Sequence, residues 1–226
     1  AEVAKFCRAR QKYCFNAKSI ADIGVIYPKY YAKNRLFTGA AFTRLRSFVS
    51  MLADAGFSCD VVNEADIKGL ERYKVLLLPS AEKYDSETMD ILAEFAKNGG
   101  TVIADGGVSF GPEISGATFA EPVTKLVFPD CGGRLSSIET SYYEPTLLTA
   151  IPLIDCYDGN YFYEKEKHIG CVLNHYGSGK VVSLCFDLAS VYRDNITYAL
   201  KQFTKKLLRE SGYKALIAVT GSDYAD

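Results

Sequence analysis

The chain has 226 residues with a formal net charge of −1, and 48% of its residues are hydrophobic. This length and composition suffice for one large packed domain. They exclude a nucleic-acid-binding protein, which would carry a basic stripe, and a membrane-spanning one, because no apolar run approaches the length of a membrane span. The first residues lack a signal-peptide pattern, so we expect a soluble protein but no particular compartment.

The first twenty residues predict a helix followed by a short linker. Residues 2–12 are rich in charged side chains, and Val3, Phe6 and Cys7 form a narrow apolar stripe along them. An apolar stripe on a helix is typical of packing against another element. We therefore expect residues 1–20 to be a linker helix that leads out of a preceding domain.

Residues 21–107 alternate short apolar runs with amphipathic helices. The predicted strands are at 21–27, 57–62, 75–78 and 101–104. One predicted helix follows the first strand and a second spans 85–98. The buried face of the first helix is formed by Phe42, Leu45, Phe48, Val49 and Leu52. Gly56 and the pair Gly99-Gly100 end the two helices. Short apolar strands between helices predict a parallel sheet covered on both faces, with any ligand site at the carboxyl ends of the strands.

The second half of the chain is less regular. Residues 108–158 contain five of the seven prolines and predict an insertion of short strands at the edge of the sheet. A hairpin follows, with strands at 168–175 and 180–186 and a turn at 177–179. Residues 194–210 predict an amphipathic helix ended by Gly212, and 214–219 predict a last strand.

Two carboxylates follow predicted strands. Asp105-Gly106-Gly107 comes directly after the strand at 101–104, and Asp187 comes directly after the strand at 180–186. If both strands end at one edge, the two carboxylates could perform acid–base chemistry or bind a ligand there. The alternative is structural, with Asp105 in a turn and Asp187 capping the next helix. The structural interpretation is favoured.

The seven cysteines contain no C-x-x-C pair, so no zinc or other metal site and no thioredoxin motif is predicted. His168 and His175 are the two histidines, and both lie in or beside the predicted hairpin. Cys131 lies in a predicted loop, and a nucleophilic Cys131 paired with His175 would define a hydrolase. No neighbouring residue in the sequence provides a recognisable base for this thiol.

Three segments resemble the class I glutamine amidotransferase-like domain that occurs inside multidomain glycoside hydrolases, of which the β-galactosidase trimerisation domain is the best-known member. They are ADIGVIYP, YKVLLLPSAEKYDSETMDILAEFAKNGGTVIADGG and YGSGKVVSLCFDLASVY. The resemblance covers residues 21–107 and 168–211. It implies a flavodoxin-like three-layer sandwich with a mainly parallel central sheet, extending over residues 21–212, and it makes 213–226 the start of a following segment.

The chemistry of true amidotransferases is missing from the matching positions. Their nucleophilic cysteine lies in a Gly-x-Cys-x-Gly elbow, where this chain has Ala104-Asp105-Gly106-Gly107, and their His-Pro-Glu is replaced by Phe186-Asp187-Leu188-Ala189. Thioester chemistry requires a thiolate, a base and an orienting carboxylate. The resemblance therefore implies a domain without catalytic residues or a cofactor, which holds subunits together or closes over a sugar site in a larger glycoside hydrolase.

The expected partners are other domains of a parent chain and further copies of this one, and a carbohydrate is a further candidate. If the edge of the sheet binds a small ligand, the residues assigned to it are Tyr27, Ser80, Asp105, Gly106 and Asp187. Two alternatives remain open at this point. One is a stand-alone hydrolase that uses Asp105 and Asp187, or Cys131 with His175, and the other is a sugar-binding module that uses the strand edge and its tyrosines.

Overall fold

The structure is a computed structural model that describes residues 2–29, 39–80, 84–129, 138–158, 166–194 and 198–215. Cys131 and most of the strand predicted at 214–219 lie outside these residues. The first elements are α1 (Glu2–Cys14), β1 (Ile23–Tyr27), α2 (Gly39–Asp54), β2 (Asp60–Asn63), β3 (Val75–Leu78), α3 (Ser86–Lys97) and β4 (Thr101–Ala104). Short 3₁₀ turns at Glu64–Asp66 and Leu70–Arg72 connect β2 to β3.

The remaining elements include the predicted insertion and hairpin. They are α4 (Pro112–Ser115), β5 (Ala117–Phe119), β6 (Val123–Pro129), β7 (Ile138–Tyr142), β8 (Pro145–Leu147), β9 (Ile151–Asp158), β10 (Glu166–Tyr176), β11 (Gly179–Leu184), α5 (Leu188–Asp194) and α6 (Tyr198–Glu210). The helix predicted at 194–210 therefore corresponds to the end of α5 and to α6. None of the described helices is both long and apolar enough to cross a membrane.

Within the described residues, nine strands form one mixed sheet in the order β2-β1-β3-β4-β11-β10-β9-β6-β7. The pairs from β2 to β11 are parallel, and the pairs from β11 to β7 are antiparallel. The insertion is thus more regular than expected, because three of its strands extend the sheet beyond β10. The strands β5 and β8 form a separate antiparallel pair.

Alternating residues of the parallel strands enter two separate cores. Val75 and Leu77 of β3 belong to a core that contains Phe48 of α2 and Phe203 of α6. Residues Leu76 and Leu78, together with Leu92 of α3, belong to the other core. Because side chains alternate between the two faces of a strand, an uninterrupted apolar run such as Val75–Leu78 is buried on both sides.

Two predictions about individual elements are wrong. Phe42 is 56% exposed, because it lies in the first turn of α2 at the rim of the core, whereas Leu45, Phe48 and Leu52 are buried. The strand predicted at 57–62 begins only at Asp60, where pairing with Gly24 of β1 starts. In the described residues the apolar stripe of α1 is exposed, with Val3 at 76% and Phe6 at 57%, so its packing against another domain stays a prediction.

The hairpin of β10 and β11 is confirmed, and its turn is held against α3. Gly177 has a φ of +59°, which favours glycine. A Cβ at Gly179 would lie 2.1 Å from the carbonyl oxygen of Ala96 near the end of α3. The Lys180 ammonium donates a hydrogen bond to the carbonyl oxygen of Ser211 at 3.0 Å, just after the end of α6. This Gly-x-Gly-Lys segment therefore joins two helix ends to the sheet.

Candidate functional site

The two predicted carboxylates meet at the carboxyl edge of the sheet because β4 and β11 are neighbours. Ala104 of β4 pairs with Ser183 of β11, and both strands end there. Asp105 follows β4 directly, and its carboxylate accepts a hydrogen bond from the backbone N–H of Leu188, the residue after Asp187. We call the group Ser80, Asp105, Gly106 and Asp187 the carboxyl-edge site.

Asp105 lies completely buried at the centre of the carboxyl-edge site. Its Oδ1 accepts from the Leu188 N–H at 2.8 Å, and its Oδ2 accepts from the Ser80 N–H at 3.2 Å. Burial, and then the negative charge of Asp187, raise the pKa of the Asp105 carboxyl well above its usual range, although backbone hydrogen bonds from Leu188, Ser80 and Gly106 act in the opposite direction. Asp105 therefore ties together the chain segments that follow β3, β4 and β11.

Asp187 caps α5, as the structural interpretation expected. Its Oδ1 accepts from the Ser190 N–H at 2.9 Å, and its Oδ2 accepts from the Ser190 hydroxyl at 2.7 Å. The Arg44 guanidinium of α2 donates to the same Oδ2 at 3.2 Å. The carboxylate is thus neutralised by Arg44 and engaged by the start of α5, which suits a structural role better than acid–base work.

Gly106 allows the backbone after β4 to touch the backbone after β11. Its N–H donates to the Phe186 carbonyl oxygen at 3.1 Å. A Cβ at Gly106 would lie 2.3 Å from the carbonyl carbon of Phe186, which no side chain permits. The next residue, Gly107, has a φ of +86° and turns the chain away from the sheet.

The residues assigned to ligand binding from the sequence are only partly brought together. Ser80, Asp105, Gly106 and Asp187 form the carboxyl-edge site, with Ser80 contributing its backbone N–H to Asp105. Tyr27 is the last residue of β1 and packs against the core on the α2 side. None of the contacts found among the described residues joins Tyr27 to either carboxylate.

Sequence reasoning did not identify Arg44, Ser190 or Tyr143 as parts of this region. The Asp187-x-x-Ser190 spacing is a capping pattern that could have revealed Ser190. Arg44 lies 143 positions before Asp187, and no local pattern connects them. Tyr143 is half-buried, and burial followed by the charges of Asp187 and Asp105 raises the pKa of its hydroxyl.

Among the described residues, no thiol is paired with an imidazole at the carboxyl edge. Cys185 lies nearby, but it is fully buried, and burial raises the pKa of its thiol well above its usual range. His175 is exposed on β10 and is paired in register with Lys180. The alternative nucleophile Cys131 lies outside the described residues.

One cysteine and one histidine are neighbours elsewhere in the sheet. Cys156 of β9 is directly opposite His168 of β10, in the antiparallel half. Burial raises the pKa of the Cys156 thiol to about 12, so the thiolate that attacks a substrate is scarcely populated at neutral pH. The His168 ring contacts Asp158 at 3.0 Å instead. This pair therefore lacks the features of a nucleophilic dyad.

Thiol alkylation provides a direct check of these environments. We expect iodoacetamide at neutral pH to modify Cys7, which is exposed, and to leave Cys156, Cys171 and Cys185 intact until the protein unfolds. Burial raises the pKa values of all three buried thiols and also blocks the reagent. Peptide mass spectrometry before and after denaturation measures this. Rapid labelling of Cys156 in the folded protein would contradict the assignment.

A cluster of potential metal ligands lies at the ends of β9 and β10. Single ligand atoms of Asp158, Glu166 and His168 are all within 4.8 Å of one another. The Lys125 ammonium, however, is 3.2 Å from Asp158 Oδ2 and 3.5 Å from His168 Nε2. A lysine supplies positive charge at the position where these groups converge, so the cluster is best described as an ion-pair network.

A cavity of about 830 Å³ lies at the opposite, amino-terminal edge of the sheet. Its walls include Tyr73, Lys74, Glu94 and Phe95. The polar groups on its rim have partners, because Lys74 pairs with Asp22 at 2.7 Å and Glu94 accepts from Asn98 at 3.0 Å. Its size fits a small molecule, but its polar groups do not converge on a ligand position.

The fold and the site define an α/β domain with a buried carboxylate pair at the carboxyl edge of its sheet and, in the described part of the chain, no activated thiol there. A family model described as the β-galactosidase trimerisation domain matches residues 29–107 of this chain. That segment runs from the end of β1 to Gly107 and includes Arg44, Ser80 and Asp105.

Individual proteins are also similar to this chain. A β-1,2-glucosyltransferase of Ignavibacterium album is 34% identical over 88 residues, which are 38% of this chain and 11% of that protein. A β-galactosidase from Bacillus circulans sp. alkalophilus has a TM-score of 0.67 at 16% identity, covering 97% of this chain and 35% of its own. The α-L-fucosidase isoenzyme 2 of Paenibacillus thiaminolyticus has a TM-score of 0.69 at 20% identity. The similarity covers 92% of this chain and 35% of the fucosidase chain.

The two solved structures share the fold of this chain. The chain spans 11% of the length of the curated relative and 35% of each of these two structures. The similarity thus extends to one part of much larger proteins.

Proposed function

We propose that this chain is a non-catalytic accessory domain that promotes oligomerisation of a larger glycoside hydrolase. The observation that carries the proposal is the match of residues 29–107 to the β-galactosidase trimerisation domain. Its relatives include carbohydrate-active enzymes of which the chain covers only a part. The parent protein, rather than this domain, would carry the carboxylate pair that hydrolyses the glycosidic bond.

We further propose that the domain is a flavodoxin-like three-layer sandwich of the glutamine amidotransferase type that lacks the amidotransferase residues. The parallel strands from β2 to β11 and the cores on both of their faces support this. Asp105 lies in the segment 104–107 that corresponds to the nucleophile elbow, and Asp187 lies in the segment 186–189 that corresponds to the His-Pro-Glu segment. Both carboxylates are committed to backbone and capping hydrogen bonds.

The domain organisation follows from the same proposal. Residues 1–20 would be a linker helix from a preceding domain, 21–212 the α/β domain with its insertion at 108–158, and 213–226 the start of a following segment. The exposed apolar stripe of α1 supports contact with another domain, because an isolated helix of 13 residues is only marginally stable in water. Other domains of a parent chain and further copies of this chain are thus the proposed partners.

Self-association tests the oligomerisation role. We expect sedimentation velocity of the 226-residue chain to show a species heavier than the 24.9 kDa monomer, approaching three copies as the protein concentration rises. Mass action requires that the fraction of this species increase with concentration. A single 24.9 kDa species at every concentration would contradict the proposal.

A further inference from the structure

A cavity of about 200 Å³ adjoins the carboxyl-edge site. The residues of its wall that matter here are Gly107, Phe119, Glu121 and Tyr143, and we call it the Tyr143 cavity. It is smaller than the roughly 300–1,000 Å³ of pockets for drug-sized ligands, so it can hold one small ring. Its walls come from the chain after β4, from β5 and from the chain after β7.

The Tyr143 hydroxyl lies directly against Gly107 in the wall of the Tyr143 cavity, and the Ser80 hydroxyl lies close to the same glycine. A Cβ built on Gly107 would lie 2.6 Å from Tyr143 Oη and 3.7 Å from Ser80 Oγ. No hydrogen bond joins the Tyr143 hydroxyl to any described residue. Burial, and then the charges of Asp187 and Asp105, raise the pKa of this hydroxyl, so it keeps its proton at neutral pH. Within the described part of the chain, the Tyr143 hydroxyl is therefore available to donate a hydrogen bond to a ligand.

The rest of the Tyr143 cavity complements that donor. Glu121 is exposed at the cavity and supplies a carboxylate acceptor. The ring of Phe119 is partly buried and provides an apolar wall, which suits the C–H face of a saturated ring. Glu121 disfavours an anionic ligand, and Arg44 neutralises the nearby Asp187, so Glu121 is the one charged residue among the described residues of the cavity wall.

We propose that the Tyr143 cavity binds one neutral pyranose unit, with the Tyr143 hydroxyl donating to a ring substituent, Glu121 accepting from a hydroxyl group and Phe119 packing against the ring. The inference rests on the proposed function, because a carbohydrate-active parent enzyme would bring such a unit close to this domain. It makes the domain a sugar-contacting module as well as an oligomerisation module.

NMR titration of the full chain tests this site. Methyl glycosides of D-galactose, D-glucose and D-mannose are the probes, and the amide signals of Gly107 and Tyr143 are the readout. We expect saturable shifts with at least one glycoside. The substitution Tyr143→Phe removes only the hydroxyl and should weaken binding about tenfold, the effect of losing one hydrogen bond. Tyr27→Phe, at the same edge but outside the cavity, is the matched control and should leave the affinity unchanged.

Several outcomes would overturn the site. They are the absence of saturable shifts with all three glycosides, equal affinity in Tyr143→Phe and the wild type, or stronger binding of methylammonium or acetate than of the glycosides. Sedimentation of the same samples separates this inference from the proposed function. Loss of sugar binding with a normal oligomer would reject the site alone, whereas a monomer that binds sugar would reject the oligomerisation role.

Discussion

Replacing Gly106 by alanine is expected to lower the free energy of unfolding by about 3–4 kcal/mol, which a urea titration would measure. The new Cβ would lie 2.3 Å from the carbonyl carbon and 2.4 Å from the carbonyl oxygen of Phe186, and 2.8 Å from the Asp187 nitrogen. All three are backbone atoms, so no side-chain rotation relieves the overlap. The backbone that follows β11 would have to move, and the hydrogen bond from the Gly106 N–H to the Phe186 carbonyl oxygen would break.

Gly56→Ala provides the matched control for this substitution. Gly56 has a φ of +84°, and a Cβ there would have no heavy atom within 4 Å. Its replacement costs only the strain of a left-handed backbone, roughly 1–2 kcal/mol. If Gly106→Ala were no more destabilising than Gly56→Ala, the close backbone contact at the carboxyl edge would be refuted.

The second prediction concerns Asp105→Asn, which should destabilise the protein by about 1–3 kcal/mol at acidic pH. Both Asp105 oxygens accept hydrogen bonds from backbone N–H groups, those of Leu188 and Ser80. The protonated carboxyl group present at acidic pH still has lone pairs on both oxygens, whereas an asparagine can offer only one oxygen, so its NH₂ group would face a backbone donor. One buried N–H would lose its acceptor, which is costly in the interior.

The difference in stability between the wild type and Asp105→Asn should shrink as the pH rises above about 4. Burial and the charge of Asp187 raise the pKa of Asp105 in the folded state above its value of about 3.9 in the unfolded chain. Between these two pKa values the folded protein binds more protons, so its stability falls with increasing pH. The Asp105→Asn variant has no proton to lose at this position, so its stability lacks this fall with increasing pH. Urea titrations at a series of pH values would measure the difference.

Asp22→Asn should show the opposite trend. Burial acts to raise the pKa of Asp22, but hydrogen bonds from Lys74 and Tyr213 and the charge of Lys74 outweigh it and lower the pKa. The stabilisation from this carboxylate is present above about pH 4 and is lost as the pH falls through its lower folded-state value. The difference from the wild type should therefore grow with rising pH. Parallel trends for the two variants would contradict the assigned environments.

The strands and helices of the first half could be predicted closely because their signals are local. The strands at 75–78 and 101–104 have the predicted bounds, since each is a short, mainly apolar run between residues that interrupt it, a lysine and a proline in the first case and a glycine and an aspartate in the second. The adjacency of Asp105 and Asp187 follows from two strands that end at one edge. These features require only the pattern of neighbouring residues and the rule for parallel sheets.

The features that could not be predicted from the sequence are those that depend on contacts between distant segments. The ion pair of Arg44 with Asp187 and the position of Tyr143 over Gly107 depend on how α2 and the insertion pack. Likewise, the strands β6, β7 and β9 extend the main sheet through pairings between distant segments, for example Phe128 with Tyr157. Such pairings leave no periodic trace in a short, proline-containing stretch of sequence.

This domain is proposed to contribute contacts and no chemistry of its own. Ammonia release from L-glutamine tests it most directly, because the fold is proposed to derive from amidotransferases and the assay also reports on Cys131. We expect the full chain to release no more ammonia than buffer, since the described carboxyl edge carries Asp105 and Asp187, and burial raises the pKa of the neighbouring Cys185 thiol and keeps it protonated. Ammonia release above that level, abolished when the thiols are alkylated, would contradict it.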